Sequence, residues 1–297
     1  YVKLRTRWCI SKVCLLGKTA IVTGANTGIG YETALEFAKR GARVILGCRN
    51  EAKAIEARDK IIKETSNQNV VVKRIDFSSL KSVRHFAKDV EENEERLDIL
   101  VNNAGVGMAR DALTEDGLQF LMQVNYYGPF LLTILLIDKL KKSSPSRIVN
   151  VSSLLASFAK LDVDNPNIYG GPYYYNSTKL CNILFSIHLA KILEKHNVTV
   201  YSVHPGAVRT EIYRVFRGIY KTIVEFLKAV CFKTPEEGAQ TVIHTAIHQG
   251  IEQYTGRIFD ECRVVKTYAN ARDPYLPDRL WNRTVELLKC EEDIKNM

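Results

Sequence analysis

Six short apolar runs punctuate the first two-thirds of the chain, and a helix-period stretch follows most of them. Lys18–Thr23 ends at Gly24 and gives way to an amphipathic pattern over Ile29–Lys39. Arg43–Gly47 precedes the helix-like Glu51–Glu64, and the β-branched Val70–Ile75 precedes Leu80–Val90. Leu97–Val101 runs into Asn102-Asn103-Ala104-Gly105, and one long helix is expected over about Glu115–Lys141. Arg147–Val151, a helix over Tyr175–Glu194 and Val198–Val203 complete the series. Strands alternating with helices predict an α/β protein whose parallel sheet is covered on both faces. No repeat or low-complexity linker divides the chain, so 15–297 reads as one domain behind a flank, 1–14.

Two segments break the alternation. The stretch 157–172 holds Pro166, Gly170, Gly171 and Pro172 and reads as an irregular loop. The stretch 211–232 sets Tyr213, Phe216, Tyr220, Phe226 and Phe232 among basic residues. Its reading is open between a substrate-side cover, a self-packed surface helix and a membrane-contacting face.

Composition changes this picture little, and charge changes it more. The formal charge of +9 is spread along the chain without a Lys/Arg block, which argues against a nucleic-acid partner. Seven scattered cysteines form no CxxC pair, so no metal site and no disulfide framework is expected. The sequons at Asn150, Asn176, Asn197 and Asn282 read as unused in a cytosol-facing protein with reduced thiols. No run of about 18 uncharged apolar residues is present. The first residue is Tyr1, and Lys3, Arg5, Arg7 and Lys12 surround Trp8. Such a flank would suit an anchor preceding it and makes a membrane surface a candidate partner.

Candidate chemistry lies at the strand ends. Gly24, Asn26, Thr27, Gly28, Ile29 and Gly30 join the first strand to the first helix, where glycines let a pyrophosphate approach free N–H groups. The spacing is GxxxGxG rather than GxGxxG. After the second strand comes Arg49, where a ribose-binding acid would favour the unphosphorylated cofactor. An arginine there fits a 2′-phosphate, so NADP(H) is expected. Asp76 and Phe77 are assigned to the adenine edge, Asn103, Ala104 and Gly105 to the adenosine side. Pro205, Gly206, Val208 and Thr210 are assigned to the nicotinamide side.

For carbonyl reduction a proton must reach oxygen while hydride reaches carbon. A tyrosine can supply it if an ammonium one helical turn away lowers its pKa. Of fourteen tyrosines only Tyr175 has lysine, Lys179, at i+4; Tyr173 and Tyr174 have Ser177 and Thr178 there. Upstream, Ser153 is chosen to hydrogen-bond the substrate oxygen, with Ser152 as the alternative. Asn125, inside the long helix, is assigned to holding a water against Lys179.

TGANTGIG, NNAG, Asn125, VNVSS, YNSTK and HPG, in this order, resemble the short-chain dehydrogenase/reductase family over about residues 15–260. The resemblance implies a Rossmann-like sheet of about seven strands and the catalytic set Ser153, Tyr175, Lys179 and Asn125, with Lys179 also holding the nicotinamide ribose hydroxyls and Tyr175 counted among the cofactor contacts. GARVILGCRN, PSRIVNVSSL, KLCNILF, YSVHPGAVRTE, KTPEEGAQT and Leu280-Trp281 are similar to the retinol dehydrogenase 11/12/13/14-like branch, as is the long interval from Ser153 to Tyr175. Tyr31 departs from that branch, which often has a basic residue there, and leaves Arg49 more alone in phosphate selection. VNYYGPF and YYYNSTK also depart from it, and both are expected near the pocket.

The function expected is NADP(H)-dependent interconversion of a lipophilic alcohol and its carbonyl, with retinol/retinal leading. Steroid, ecdysteroid, isoprenoid and fatty aldehyde substrates are the alternatives, and a cofactor-binding scaffold is the non-enzyme reading. The resemblance further implies a cytosol-facing endoplasmic reticulum membrane, with cytoplasm or mitochondrion as alternatives. A homodimer through the helices bearing Asn125 and Tyr175 is a candidate assembly.

Overall fold

The computed structural model describes residues 6–107, 111–168, 171, 174–209 and 232–295. Eight strands form one sheet: β1 Thr19–Thr23, β2 Arg43–Cys48, β3 Val70–Arg74, β4 Ile99–Asn102, β5 Ser146–Val151, β6 Val198–His204, β7 Ile258–Asp260 and β8 Arg263–Val265. Their order is β3-β2-β1-β4-β5-β6-β7-β8. All neighbours run parallel except β7 and β8, which form an antiparallel hairpin. The expected doubly wound sheet is present, extended by that hairpin.

Helices α1 Gly28–Lys39, α2 Glu51–Thr65 and α3 Leu80–Asn93 follow the first three strands. Then come α4 Phe120–Met122, a π turn at Gln123–Tyr127, α5 Gly128–Leu135 and α6 Ile137–Lys142. The series ends with α7 Tyr174–Ile192, α8 Pro235–Ile247 and α9 Leu276–Leu288. The single helix expected over about 115–141 is therefore a chain of short pieces. Leu113 instead bridges to Gln119, whose side chain accepts the Met122 N–H and opens α4.

Why the central strands read as continuous apolar runs is clear from their packing. In β1, Ile21 faces one core while Ala20 and Val22 face the other; in β2, Ile45 opposes Val44 and Leu46. A strand buried on both faces cannot alternate with polar residues. One core receives α3, α5, α7 and α9, the other α1, α2 and α8. The strand order reverses between β1 and β4, so the loops after β1, β2, β4, β5 and β6 converge at the carboxyl edge, where ligands of such sheets bind.

Side chains hold the irregular 154–168 stretch, which begins as a 3-10 helix at Leu154–Phe158. The Tyr174 hydroxyl donates to Pro166 O, Ser177 Oγ to Lys160 O at 3.0 Å, and Asn270 Nδ2 to Ala156 O and Ala159 O at 2.8 and 3.1 Å. Thr210 and the aromatic stretch as far as Cys231 lie outside the described residues, as do the first five residues of the basic flank. Among the described residues no helix is long and apolar enough to cross a membrane.

Candidate active site

At the end of β1, Gly24 (φ +66°) turns the chain and donates its N–H to Gly47 O at 2.7 Å. A Cβ on Gly24 would lie 2.9 Å from the Ala104 backbone, and one on Gly30 would lie 2.4 Å from Asn103 Nδ2 and 2.6 Å from Gly24 O. Side chains are therefore excluded from the place where the loop crosses β4. Gly28 (φ +61°) starts α1, and the Thr27 side chain makes no capping bond. The leading N–H groups of α1 are left for an anion, as a pyrophosphate site requires.

Thr23, not singled out from the sequence, organises this turn. Its buried hydroxyl accepts the N–H groups of Asn103 and Ala104, each at 3.0 Å, and reaches Val101 O at 3.3 Å. The Asn103 amide donates to Thr23 O at 2.8 Å. Asn103 thus spends its nitrogen on shaping the glycine turn. Ile29 and Val208 pack together against Gly238 of α8, so their side chains belong to the wall behind the turn.

Arg49 is exposed and makes no salt bridge among the described residues. Its backbone lies between the end of β2 and the Asn50 cap of α2, whose side chain accepts the Lys53 N–H at 3.0 Å. Half-buried Asp76 accepts both the N–H and the hydroxyl of Ser78 on Oδ1, at 3.0 and 2.6 Å. Phe77 is buried, and its ring lies against Gly128, where a Cβ would come within 2.6 Å. Only the Phe77 backbone remains for the cofactor side.

The end of β5 separates the two serines. Ser152 is buried and donates to Lys179 O at 2.7 Å, which ties β5 to α7. Ser153, extended and partly exposed, caps the 3-10 helix, and its hydroxyl oxygen accepts the Leu155 N–H at 3.2 Å. Its proton therefore remains for another acceptor.

Lys179 is 3% exposed and donates to Val151 O at 3.0 Å. Its ammonium lies 5.6 Å from the Tyr175 ring centroid. Burial holds its pKa down to about 8. Tyr174, one position earlier, turns its hydroxyl to the 154–168 stretch, and burial drives its pKa up. The tyrosine run is thus divided by direction: Tyr174 serves a loop, while Tyr175 is the member beside the buried cation.

Asn125 sits in the π turn, a feature frequent at functional sites. It grips Val106 by both backbone groups, accepting its N–H at 2.8 Å and donating to its carbonyl at 2.9 Å, and also donates to Thr178 Oγ1 at 3.1 Å. Thr178 in turn donates to Tyr175 O at 2.8 Å. The asparagine amide joins β4's loop to α7. A Cβ at Gly105 would meet Asn125 Oδ1 at 3.3 Å and Lys179 Nζ at 3.4 Å, so these three positions share one small space. Tyr126 and Tyr127, expected near the pocket, are core residues; Tyr126 bonds Thr284 of α9 at 2.9 Å.

After β6, Pro205 and Gly206 (φ +88°) turn over Lys233, which the sequence reading left unassigned. Lys233 is 1% exposed, its stem would lie 2.9 Å from a Cβ on Gly206, and its ammonium pairs with Glu261. Lys233 N–H reaches Ala207 O at 2.8 Å, and Arg209 N–H reaches Lys233 O at 3.0 Å. Glu261 and Cys262 both adopt left-handed conformations in the β7–β8 turn, a strain that the pair with Lys233 helps hold. KTPEEGAQT marked the segment, but nothing in its spacing showed that the lysine would be buried.

Comparison with known proteins gives concordant findings. Residues 18–218 match the model of the family described as short chain dehydrogenase. The chain is 44% identical over 283 residues to Retinol dehydrogenase 11 of Homo sapiens, covering 94% of this chain and 88% of the relative. It is 42% identical to Retinol dehydrogenase 12 of Homo sapiens, covering 94% and 89%. A solved structure, the Pseudomonas aeruginosa RhlG/NADP active-site complex, superposes with a TM-score of 0.67 at 26% identity, covering 83% of this chain and 95% of that one.

Proposed function

The chain belongs to the short-chain dehydrogenase family, and from that premise we propose that it interconverts a lipophilic alcohol and its carbonyl with NADP(H), most plainly retinol and retinal. It is an oxidoreductase of the retinol dehydrogenase-like kind. The observation that carries the alcohol–carbonyl chemistry is the buried ammonium of Lys179 beside the Tyr175 ring, with Ser153 two residues beyond the end of β5.

The Gly24–Gly30 turn fits a dinucleotide, because its glycines let the loop fold tightly against β4 and present the uncapped N-terminus of α1 at the sheet edge. Asp76 and the Phe77 backbone would hold the adenine side, Ala104 and Gly105 the adenosine, and Gly206 the nicotinamide side. Arg49, exposed and without a salt bridge among the described residues, would pair with a 2′-phosphate. The bound nicotinamide supplies hydride to the carbonyl carbon or takes it from the alcohol.

In the reduction direction, Tyr175 gives its phenolic proton to the substrate oxygen. Lys179 favours the phenolate that remains, an effect strengthened by its removal from water. Ser153 donates to the same oxygen and stabilises the charge developing there. Asn125 fixes the loop after β4 against α7 and so keeps Lys179 in place.

A lipophilic substrate is supported by the exposed Leu154, Leu155, Phe158 and Ile168 of the stretch that follows Ser153. The relatives' names point to a retinoid, and the same reading sets the enzyme on the cytosol-facing endoplasmic reticulum membrane, with Trp8, Ile10 and Leu16 exposed beside Arg7 and Lys12.

A panel of all-trans-retinal, a 3-oxosteroid and a long-chain aldehyde, each with NADPH and NADH, tests this reading. Turnover of retinal with NADPH is expected. Tyr175→Phe should lower kcat by about 100-fold or more while NADPH still binds, its affinity changed by far less than kcat. Arg49→Glu should weaken NADPH binding by about tenfold and spare NADH. Absence of turnover across the panel, or equal use of both cofactors by wild type, would defeat it.

A further inference from the structure

We propose that His204 is a positioning residue, whose ring holds the backbone beside Ser153 and so aims the serine hydroxyl at the substrate oxygen. The proposal rests on the reading that Ser153 binds that oxygen. His204 Nδ1 accepts the Leu154 N–H at 3.1 Å. Leu154 immediately follows Ser153, at the point where extended backbone (φ −159°, ψ 154°) turns into the 3-10 helix. That helix has few anchors. At its start the Leu155 N–H goes to Ser153 Oγ and the Leu154 N–H to His204; at its far end Asn270 takes the carbonyls of Ala156 and Ala159.

The imidazole is well placed for this task. It ends β6, between Val203, paired with Val151, and the turn at Gly206, and His204 is itself in register with Asp260 of β7. Both neighbouring strands therefore fix its Cα. An accepting Nδ1 requires the neutral ring with its proton on Nε2. Burial and the nearby ammonium of Lys233 hold the His204 pKa down to about 4, which keeps that lone pair available at neutral pH. Lys233 thus acts twice, lying under the Gly206 turn and keeping the imidazole uncharged. A one-residue drift of the cap would redirect the Ser153 hydroxyl, and small misplacements at a reacting centre are expensive in rate.

The experiment compares wild type with His204→Leu, His204→Asn, Ser153→Ala and the Ser153→Ala/His204→Leu double variant, using NADPH and all-trans-retinal. Asparagine is informative because its Oδ1 can occupy the position of Nδ1. His204→Leu should lower kcat by about tenfold with NADPH affinity unchanged, and His204→Asn should recover most of it. In the double variant the loss should be no greater than in Ser153→Ala alone, since the two act as one unit. Full kcat in His204→Leu, or multiplying losses in the double variant, overturns the proposal while leaving the role of Ser153 intact. Full kcat in Ser153→Ala instead removes the reading on which the proposal stands.

A second measurement needs no turnover. Amide hydrogen exchange at Leu154 should be slow in wild type and His204→Asn and fast in His204→Leu. Equal rates in all three also overturn the proposal.

Discussion

Lys179 is buried at a cost to stability. A lysine with an ordinary value of 10.5 titrates near 8 in the native chain because burial penalises its charge. Below about pH 8 both native and unfolded chains carry the proton, so the penalty is present in full. Between about 8 and 10.5 the unfolded chain binds more protons, and stability rises with pH until the penalty is gone. Lys179→Met is therefore expected to abolish turnover yet raise the unfolding free energy at pH 7 by about 1–2 kcal/mol. Urea denaturation at pH 7 and at high pH checks it, with the gain vanishing at the upper value. In the wild type, kcat/KM for carbonyl reduction should fall above about pH 8 as the ammonium is lost. At this scale the sequence was legible where spacing decides and silent where burial does. The i+4 lysine picked Tyr175 from its neighbours, but Ser152 and Ser153 are equivalent as letters. Burial and the bond from Ser152 to Lys179 O, against the partly exposed cap made by Ser153, separate them.

The elements show where helical and strand periodicity lead and where they fail. The runs that became β1 to β6 end within about two residues of their expected bounds, because a strand buried on both faces leaves a continuous apolar signature. The expected long helix fails at its start and in its interior, while its end falls within a residue of Lys142, where α6 stops. Its start is displaced by the Leu113–Gln119 bridge, and its interior holds a π turn that apolar periodicity does not register. Strands β7 and β8 have three residues each, too few to show a period. The 154–168 stretch is irregular, as its prolines and glycines implied, yet it is pinned by side chains from the start of α7 and by Asn270, more than 100 positions away. Tyr174→Phe removes the hydroxyl that makes one of those pins. It should reduce stability by about 1 kcal/mol and leave the pH dependence of turnover unchanged, in contrast to Tyr175→Phe. Parallel denaturation and pH–rate measurements on the two variants would distinguish loop anchor from proton donor.

Across the whole molecule, α9 changes what the other helices can meet. Trp281 lies 4.9 Å from Phe130 of α5, 6.1 Å from Phe185 and 4.4 Å from His188 of α7, measured between ring centroids. Tyr126 reaches Thr284 from the π turn, and Leu280, Val285 and Leu288 are buried in the same core. The outward surface of α5 and α7 is thus occupied by the chain's own helix. Pairing of two copies through those helices would have to displace it. A monomer is expected by light scattering at micromolar concentration, and a dimer protecting α5 and α7 from hydrogen exchange would contradict it. Trp281→Ala should cost about 3–5 kcal/mol, because it empties the centre of an aromatic cluster. The late Leu280-Trp281 pair was visible as a motif, but its partners, about 100 and 150 positions upstream, were not.

The position of β4 has a consequence for the order in which the sheet can assemble. Strands β3, β2, β1 and β4 are neighbours and all lie within the first 102 residues, whereas β5 begins at Ser146. As the chain leaves the ribosome, four strands can pair while the far side of β4 still lacks its partner. That open edge carries Ile99, Leu100 and Val101, and it stays open until some forty further residues are made. Exposed parallel edges are where nascent chains pair with the wrong partner. The interval between β4 and β5 is filled by α4, the π turn and α5, whose apolar side chains join the same core as Leu100. Those helices can shelter one face of the half-built sheet before its fifth strand arrives.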